Sequence, residues 1–131
     1  MEVREIMSRE VRIANAAETL QEAAEVMADE GVGALPVGDR GRLVGLITHR
    51  DIVTRAIARG RSPTSTPVRD VMSEEVLYCF EDEDVEEAAR HMDELQIRRM
   101  PVLDRRKRLV GVVALDDIKQ RATRDVVRKP W

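Results

Sequence analysis

The hexapeptide Val3-Arg4-Glu5-Ile6-Met7-Ser8 returns 65 positions later as Val68-Arg69-Asp70-Val71-Met72-Ser73, and this self-similarity constrains the fold more than any other feature of the chain. The same offset relates Glu18 to Glu83, Glu22 to Glu87, Ala23 to Ala88, Ala24 to Ala89, Met27 to Met92, Pro36 to Pro101, Val37 to Val102 and Asp39 to Asp104. One residue is then inserted, because Asp39-Arg40-Gly41-Arg42 becomes Asp104-Arg105-Arg106-Lys107-Arg108. Beyond it Leu43-Val44-Gly45 matches Leu109-Val110-Gly111, and Asp51-Ile52 matches Asp117-Ile118. A turn is where a duplicated unit tolerates an insertion. An isolated copy of about 55 residues buries too little surface to be stable alone. The two copies are therefore expected to pack on each other about a pseudo-twofold axis.

Each copy reads as β-α-β-β-α. The stretch Thr19-Leu20-Gln21-Glu22, like Asp84-Val85-Glu86-Glu87, carries the capping-box pattern that opens a helix. Leu20, Ala23, Ala24 and Met27, matched by Val85, Ala88, Ala89 and Met92, follow at i, i+3, i+4 and i+7 and line one helical face. Gly31 is the expected C-cap. Ala34-Val37 and Leu43-Ile47 flank a polar, glycine-containing turn and predict a hairpin. A second helix is predicted from about Arg50 to Ala58. Val11-Ile13 and Val76-Phe80 are expected to supply the opening strands. Gly60 to Pro67 holds two prolines and no periodicity, which marks a linker. The predicted organisation is repeat 1 over 3–58, linker 59–67, repeat 2 over 68–123 and a basic tail over 124–131. The fold class is α+β: two βαββα repeats, their sheets packed together with helices outside.

Composition narrows the function. With 22 Lys+Arg against 25 Asp+Glu the net charge is −3, so no overall positive field favours nucleic acid or an anionic membrane. Tyr78, Phe80 and Trp131 are the sole aromatics, too few for a base-stacking platform. One cysteine, Cys79, excludes an intrachain disulfide and fits a reducing cytoplasm, and no zinc pattern is present. No apolar run approaches the roughly 20 residues of a membrane span, and the start lacks a signal-peptide pattern. The chain reads as cytoplasmic and complete. Without a nucleophile–base pair, metal cluster or phosphate loop, no catalytic residue is assigned and an enzyme is not expected.

Gly45-Leu46-Ile47-Thr48-His49-Arg50-Asp51, together with Leu35-Pro36-Val37 and Met100-Pro101-Val102, resembles the cystathionine-β-synthase-type (CBS) domain family. The likeness covers residues 3–123, in two ordered copies. It implies a tandem pair, commonly dimerised further, with clefts between units that take adenosine-containing ligands. AMP, ADP or ATP are the expected ligands, with S-adenosylmethionine or NADH as further possibilities and no cofactor required. It also implies that Asp51 holds ribose hydroxyls, that Thr48 contacts ribose or phosphate with Arg50 adding charge, and that adenine lies near Ile13, Ala34 and Pro36. In the second copy the same roles fall to Asp117, Tyr78, Arg99 and Pro101; Arg98 and Arg99 are also of the kind the family directs at phosphates, with either cleft open as their target. A carboxylate suits vicinal hydroxyls because it accepts both hydrogen bonds with charge assistance.

The copies are unequal at this motif. Gly111-Val112-Val113-Ala114-Leu115-Asp116-Asp117 has Ala114 at the place of Thr48 and Asp116 at that of Arg50. The first site is expected to be the better nucleotide site. The resulting reading is a regulatory, energy-sensing module, a homodimer that signals to a downstream protein. Its rival is a ligand-free interaction subunit. Several motifs have plainer explanations. Thr48 and Asp51 also form a capping pattern. His49 and His91 read as ordinary residues, Cys79 as a core residue, 104–108 as a solvated hairpin tip, and the acidic run 81–87 as a solvated helix start.

Overall fold

The computed structural model describes residues 1–120; the predicted tail over 124–131, Trp131 and the end of repeat 2 lie outside them. The fold is mixed α+β, with two three-stranded sheets ordered β1-β2-β3 and β4-β5-β6. The first comprises β1 (Ala14–Asn15), β2 (Ala34–Asp39) and β3 (Arg42–Thr48), with helix α1 (Leu20–Glu30) crossing from β1 to β2. β1 pairs parallel with β2, which pairs antiparallel with β3. A helical segment follows as α2 (His49–Asp51), a wider π turn Ile52–Ala56 and a 3-10 turn Ile57–Arg59. In the second copy β4 (Cys79–Phe80), α3 (Val85–Leu95), β5 (Arg99–Leu103) and β6 (Leu109–Ala114) repeat the order, and residues 115–120 are helical.

α1 forms where the sequence places it. The Thr19 side chain accepts the Glu22 amide, and Gly31 closes the helix at φ 66° in the left-handed region that glycine enters without strain. Leu20, Ala23 and Met27 are buried, whereas Ala24, expected on the same face, is exposed. In α3 the cap differs from the expected box: Asp84 accepts from the Glu86 amide rather than that of Glu87, and Gln96 takes the left-handed C-cap.

Both opening strands are shorter than their apolar stretches suggest. Val11-Ile13 is not a strand; the pairing begins at Ala14, which is 1% exposed in the core while Ile13 is 42% exposed. Only Cys79–Phe80 of the second stretch pairs. The second helix, expected as a regular α-helix, is largely π and 3-10 in its backbone.

The described residues divide into two compact units, one of Arg12–Val76 and one of Met1–Val11 with the described residues from Leu77. In the first, Leu20, Val37, Ile47, Val68 and Val71 share one core. In the other, Val3, Met7, Cys79, Met92 and Val113 do so. The opening hexapeptide of each copy thus packs in the unit built around the other copy's sheet. Val68 donates its amide to Glu18 O at 2.7 Å, and Leu46 and Ser73 exchange backbone hydrogen bonds of 2.9 Å. Equivalently, Val3 donates to Glu83 O at 2.8 Å, and Ser8 exchanges bonds with Val112. The linker is also tied down: Thr66 O accepts the Leu20 amide and Pro63 O the Gln21 amide, each at 3.0 Å. These carbonyls satisfy first-turn amides of α1 that would otherwise be orphaned.

Candidate functional site

β3 delivers Thr48 to the start of α2, where it and Asp51 cap each other. The Asp51 amide donates to Thr48 Oγ1 at 3.1 Å, and the Thr48 amide donates to Asp51 Oδ2 at 3.0 Å. The other carboxylate oxygen, Oδ1, lies 3.8 Å from Arg55 Nε, and the Asp51 side chain is 17% exposed. The carboxylate is thus fixed through one oxygen, while the second faces a guanidinium beyond hydrogen-bonding distance. Arg55 itself donates to the Val71 carbonyl at 3.2 Å.

Ala34 stands directly across from Thr48, and Pro36 across from Leu46. Ala34 and Pro36 share a strand face because side chains alternate along a strand. Ile13 precedes β1, whose Ala14 pairs with Val37, so it stands at the level of Pro36. The first copy therefore brings Ala34, Thr48 and Asp51 together, with Pro36 and Ile13 further along the sheet and Arg50 exposed on the helix. The His49 amide donates to Gly33 O at 2.9 Å and the Asp51 amide serves the cap, so these donors at the helix start are already engaged. His49 also explains Gly33: a Cβ there would lie 2.4 Å from His49 Nδ1.

In the second unit Arg99 opens β5 across from Ala114, and Pro101 is buried across from Val112. Arg98 forms an ion pair with Asp116, and its carbonyl accepts the Leu115 amide at 2.8 Å. Asp117 is exposed. Tyr78 is 39% exposed, its ring edge-on to Phe80 with centroids 5.6 Å apart. Cys79 is buried, and burial, with Glu83 adding negative charge, pushes its thiol up to about 12.

Three features had no counterpart in the sequence reading. Arg55 links Asp51 to the 68–73 segment; its spacing of four residues from Asp51 on a helix was the available signal. Arg105 binds Asp82 through Nε at 3.0 Å and lies 4.2 Å from the Phe80 ring centroid, so one side chain of the solvated hairpin tip is anchored. The opening hexapeptides close the edges of β3 and β6. Among the described residues no group of three or more His, Cys, Asp or Glu could hold a metal ion, and no helix is long and apolar enough to cross a membrane.

The model of the CBS domain matches residues 3–57 and 68–123. The CBS domain-containing protein YhcV of Bacillus subtilis is 41% identical over 116 residues, 88% of this chain and 81% of that protein. The crystal structure of Hypoxic Response Protein I with two coordinated zinc ions is 36% identical with a TM-score of 0.81, covering 92% of this chain and 98% of that one. The CBS domain pair of protein MJ0100, in complex with 5′-methylthioadenosine and S-adenosyl-L-methionine, is 30% identical with a TM-score of 0.78, covering 95% of this chain and 98% of that one.

Proposed function

Because the chain belongs to the CBS domain family, whose tandem pairs are regulatory modules, we propose that it senses an adenosine-containing nucleotide and passes the signal to a partner protein. The observation that carries this reading is the Asp51 carboxylate, held through Oδ2 by the Thr48 amide while Oδ1 is only loosely engaged. Oδ1 can accept a ribose hydroxyl with little reorganisation, and a preorganised, charge-assisted acceptor is what vicinal hydroxyls require. Arg50 and Arg55 supply positive charge for a phosphate. Ala34, half-buried across from Thr48, offers apolar surface to the base, with the buried Pro36 behind it on the same strand face.

The adenosine ligands of the MJ0100 pair support the ligand class. AMP, ADP and ATP are the preferred candidates, with S-adenosylmethionine and NADH next, and the setting proposed is the cytoplasm. Ligand occupancy acts by favouring one of two arrangements, for which coupling of about 1–3 kcal/mol is typical.

A thermal-shift panel of these ligands tests the reading. A ligand at 100 times its dissociation constant adds about 2.7 kcal/mol of stability. No shift with any member would leave a ligand-free interaction subunit. One observation favours such an interaction role alongside sensing: Val53 and Ile57, one helical turn apart, are 55% and 51% exposed. We assign this face to a homodimer. Sedimentation should show the native chain dimeric at micromolar concentration and Val53→Asp/Ile57→Asp monomeric; a native monomer would refute the dimer.

A further inference from the structure

The two units part company at Arg98 and Asp116. Gly33 O accepts the His49 amide and Arg98 O accepts the Leu115 amide, so Arg98 holds in the second unit the place of Gly33 in the first. Arg99 likewise stands across from Ala114 as Ala34 stands across from Thr48. Two adjacent arginines therefore replace glycine and alanine at the strand start beside the motif. In the first unit the His49 ring lies where a side chain at Gly33 would begin, so a larger residue there would have to displace the ring. In the second, Leu115 takes the place of His49 and is buried at 4% exposure. The Arg98 guanidinium is paired with the Asp116 carboxylate.

The pair is exposed, at 70% for Arg98 and 60% for Asp116, so it adds little to stability. Its consequence is electrostatic. We propose that Asp116 is a specificity-determining residue: as the internal counter-anion of Arg98, it closes the Arg98–Arg99 position to phosphate-bearing ligands and leaves the second unit selective for uncharged or cationic ones. A phosphate binds a guanidinium through its forked N–H donors, and Asp116 already engages one of them, Arg98 Nη2. An incoming phosphate would also meet the carboxylate as a like charge at contact range. The first unit has the opposite balance, with Arg50 at the equivalent position and Arg55 beside Asp51. The inference rests on the nucleotide reading for its biological meaning, but its chemistry can be tested separately.

Asp116→Asn preserves shape and removes the charge. Titration calorimetry on the full chain at low ionic strength, with tripolyphosphate, AMP and adenosine as probes, should show a phosphate site on the order of tenfold tighter in Asp116→Asn than in the native protein. Adding Arg98→Ala should erase that gain, and adenosine affinity should be unchanged throughout. An unaltered tripolyphosphate affinity in Asp116→Asn, or a gain that survives Arg98→Ala, would overturn the proposal. Failure of the native protein to bind any member of the nucleotide panel would instead overturn the nucleotide reading, and the tripolyphosphate comparison would still decide the role of Asp116.

Discussion

Met72 lies against Gly45 so closely that a Cβ on the glycine would stand 2.6 Å from the methionine sulfur and 2.8 Å from the Ser73 carbonyl oxygen. Met7 and Ser8 meet Gly111 in the same way, at 2.7 and 2.8 Å. The sulfur can move, but the carbonyl belongs to the hydrogen-bonded bridge between Leu46 and Ser73 and cannot yield without breaking it. Gly45→Ala and Gly111→Ala should each cost about 1–3 kcal/mol in urea unfolding, the range of a core insertion that forces the backbone to shift. A cost below 0.5 kcal/mol at both positions would mean that the opening hexapeptides are not held as described.

Thr48 and Asp51 carry a structural and a proposed binding role, and substitution separates the two. Thr48→Ala removes one cap hydrogen bond and should cost about 1 kcal/mol of stability. Asp51→Ala should cost a similar amount and also weaken AMP binding by about 10–100-fold, the value of hydrogen bonds to a charged group. Asp117→Ala should weaken AMP binding much less, since the second copy has Ala114 in place of Thr48. Equal losses at Asp51 and Asp117, read by calorimetry, would refute the inequality of the two copies.

Much of this is legible in the amino-acid sequence. The recurrence of Val3 to Ser8 at Val68 to Ser73 announced the duplication, and the spacing of Leu20, Ala23 and Met27 placed α1 with its buried face. Pairing of Thr48 with Asp51 was readable because a cap acts over three residues of sequence. The misread features depend on long-range contacts. Nothing local distinguishes Ile13, which faces outward, from Ala14, which enters the core, because the choice is made by the register with Val37. The hexapeptides read as a repeat signature, while their packing role depends on Gly45 and Gly111, far away in sequence. Thr66 sits in a stretch with no periodicity, yet it is 4% exposed, its carbonyl accepting the Leu20 amide and its hydroxyl donating to Ser62 O.

Cys79 provides a pH-dependent test of the second core. Burial raises its thiol from the ordinary 9.0 to about 12, so the folded chain retains the proton where the unfolded chain loses it. The resulting stability is fully present below pH 9.0 and is lost as pH rises towards about 12. Cys79→Ala should lack that part of the alkaline loss when unfolding is followed across the same range. A thiol-directed reagent should leave the native protein unmodified at neutral pH and label it once urea unfolds it. Rapid labelling of the native state would place Cys79 outside the core.

Asp82 tests the opposite end of the pH scale. The hydrogen bond from Arg105 is the main cause that holds its carboxyl below the usual 3.8, with the charge of Arg4 as a lesser contribution. A lowered folded-state value means the interaction stabilises the protein above the unfolded carboxyl's pKa and disappears as pH falls through the folded one. Asp82→Asn should therefore be less stable than the native chain at neutral pH, and the two should converge in strong acid. Arg105→Ala should follow the same convergence but leave a residual difference in acid, because its guanidinium also covers the Phe80 ring, and that contact does not depend on the Asp82 proton. Parallel urea titrations at neutral and strongly acid pH would read both effects. A constant gap between native and Asp82→Asn at every pH would show that the Asp82–Arg105 pair does not form in solution.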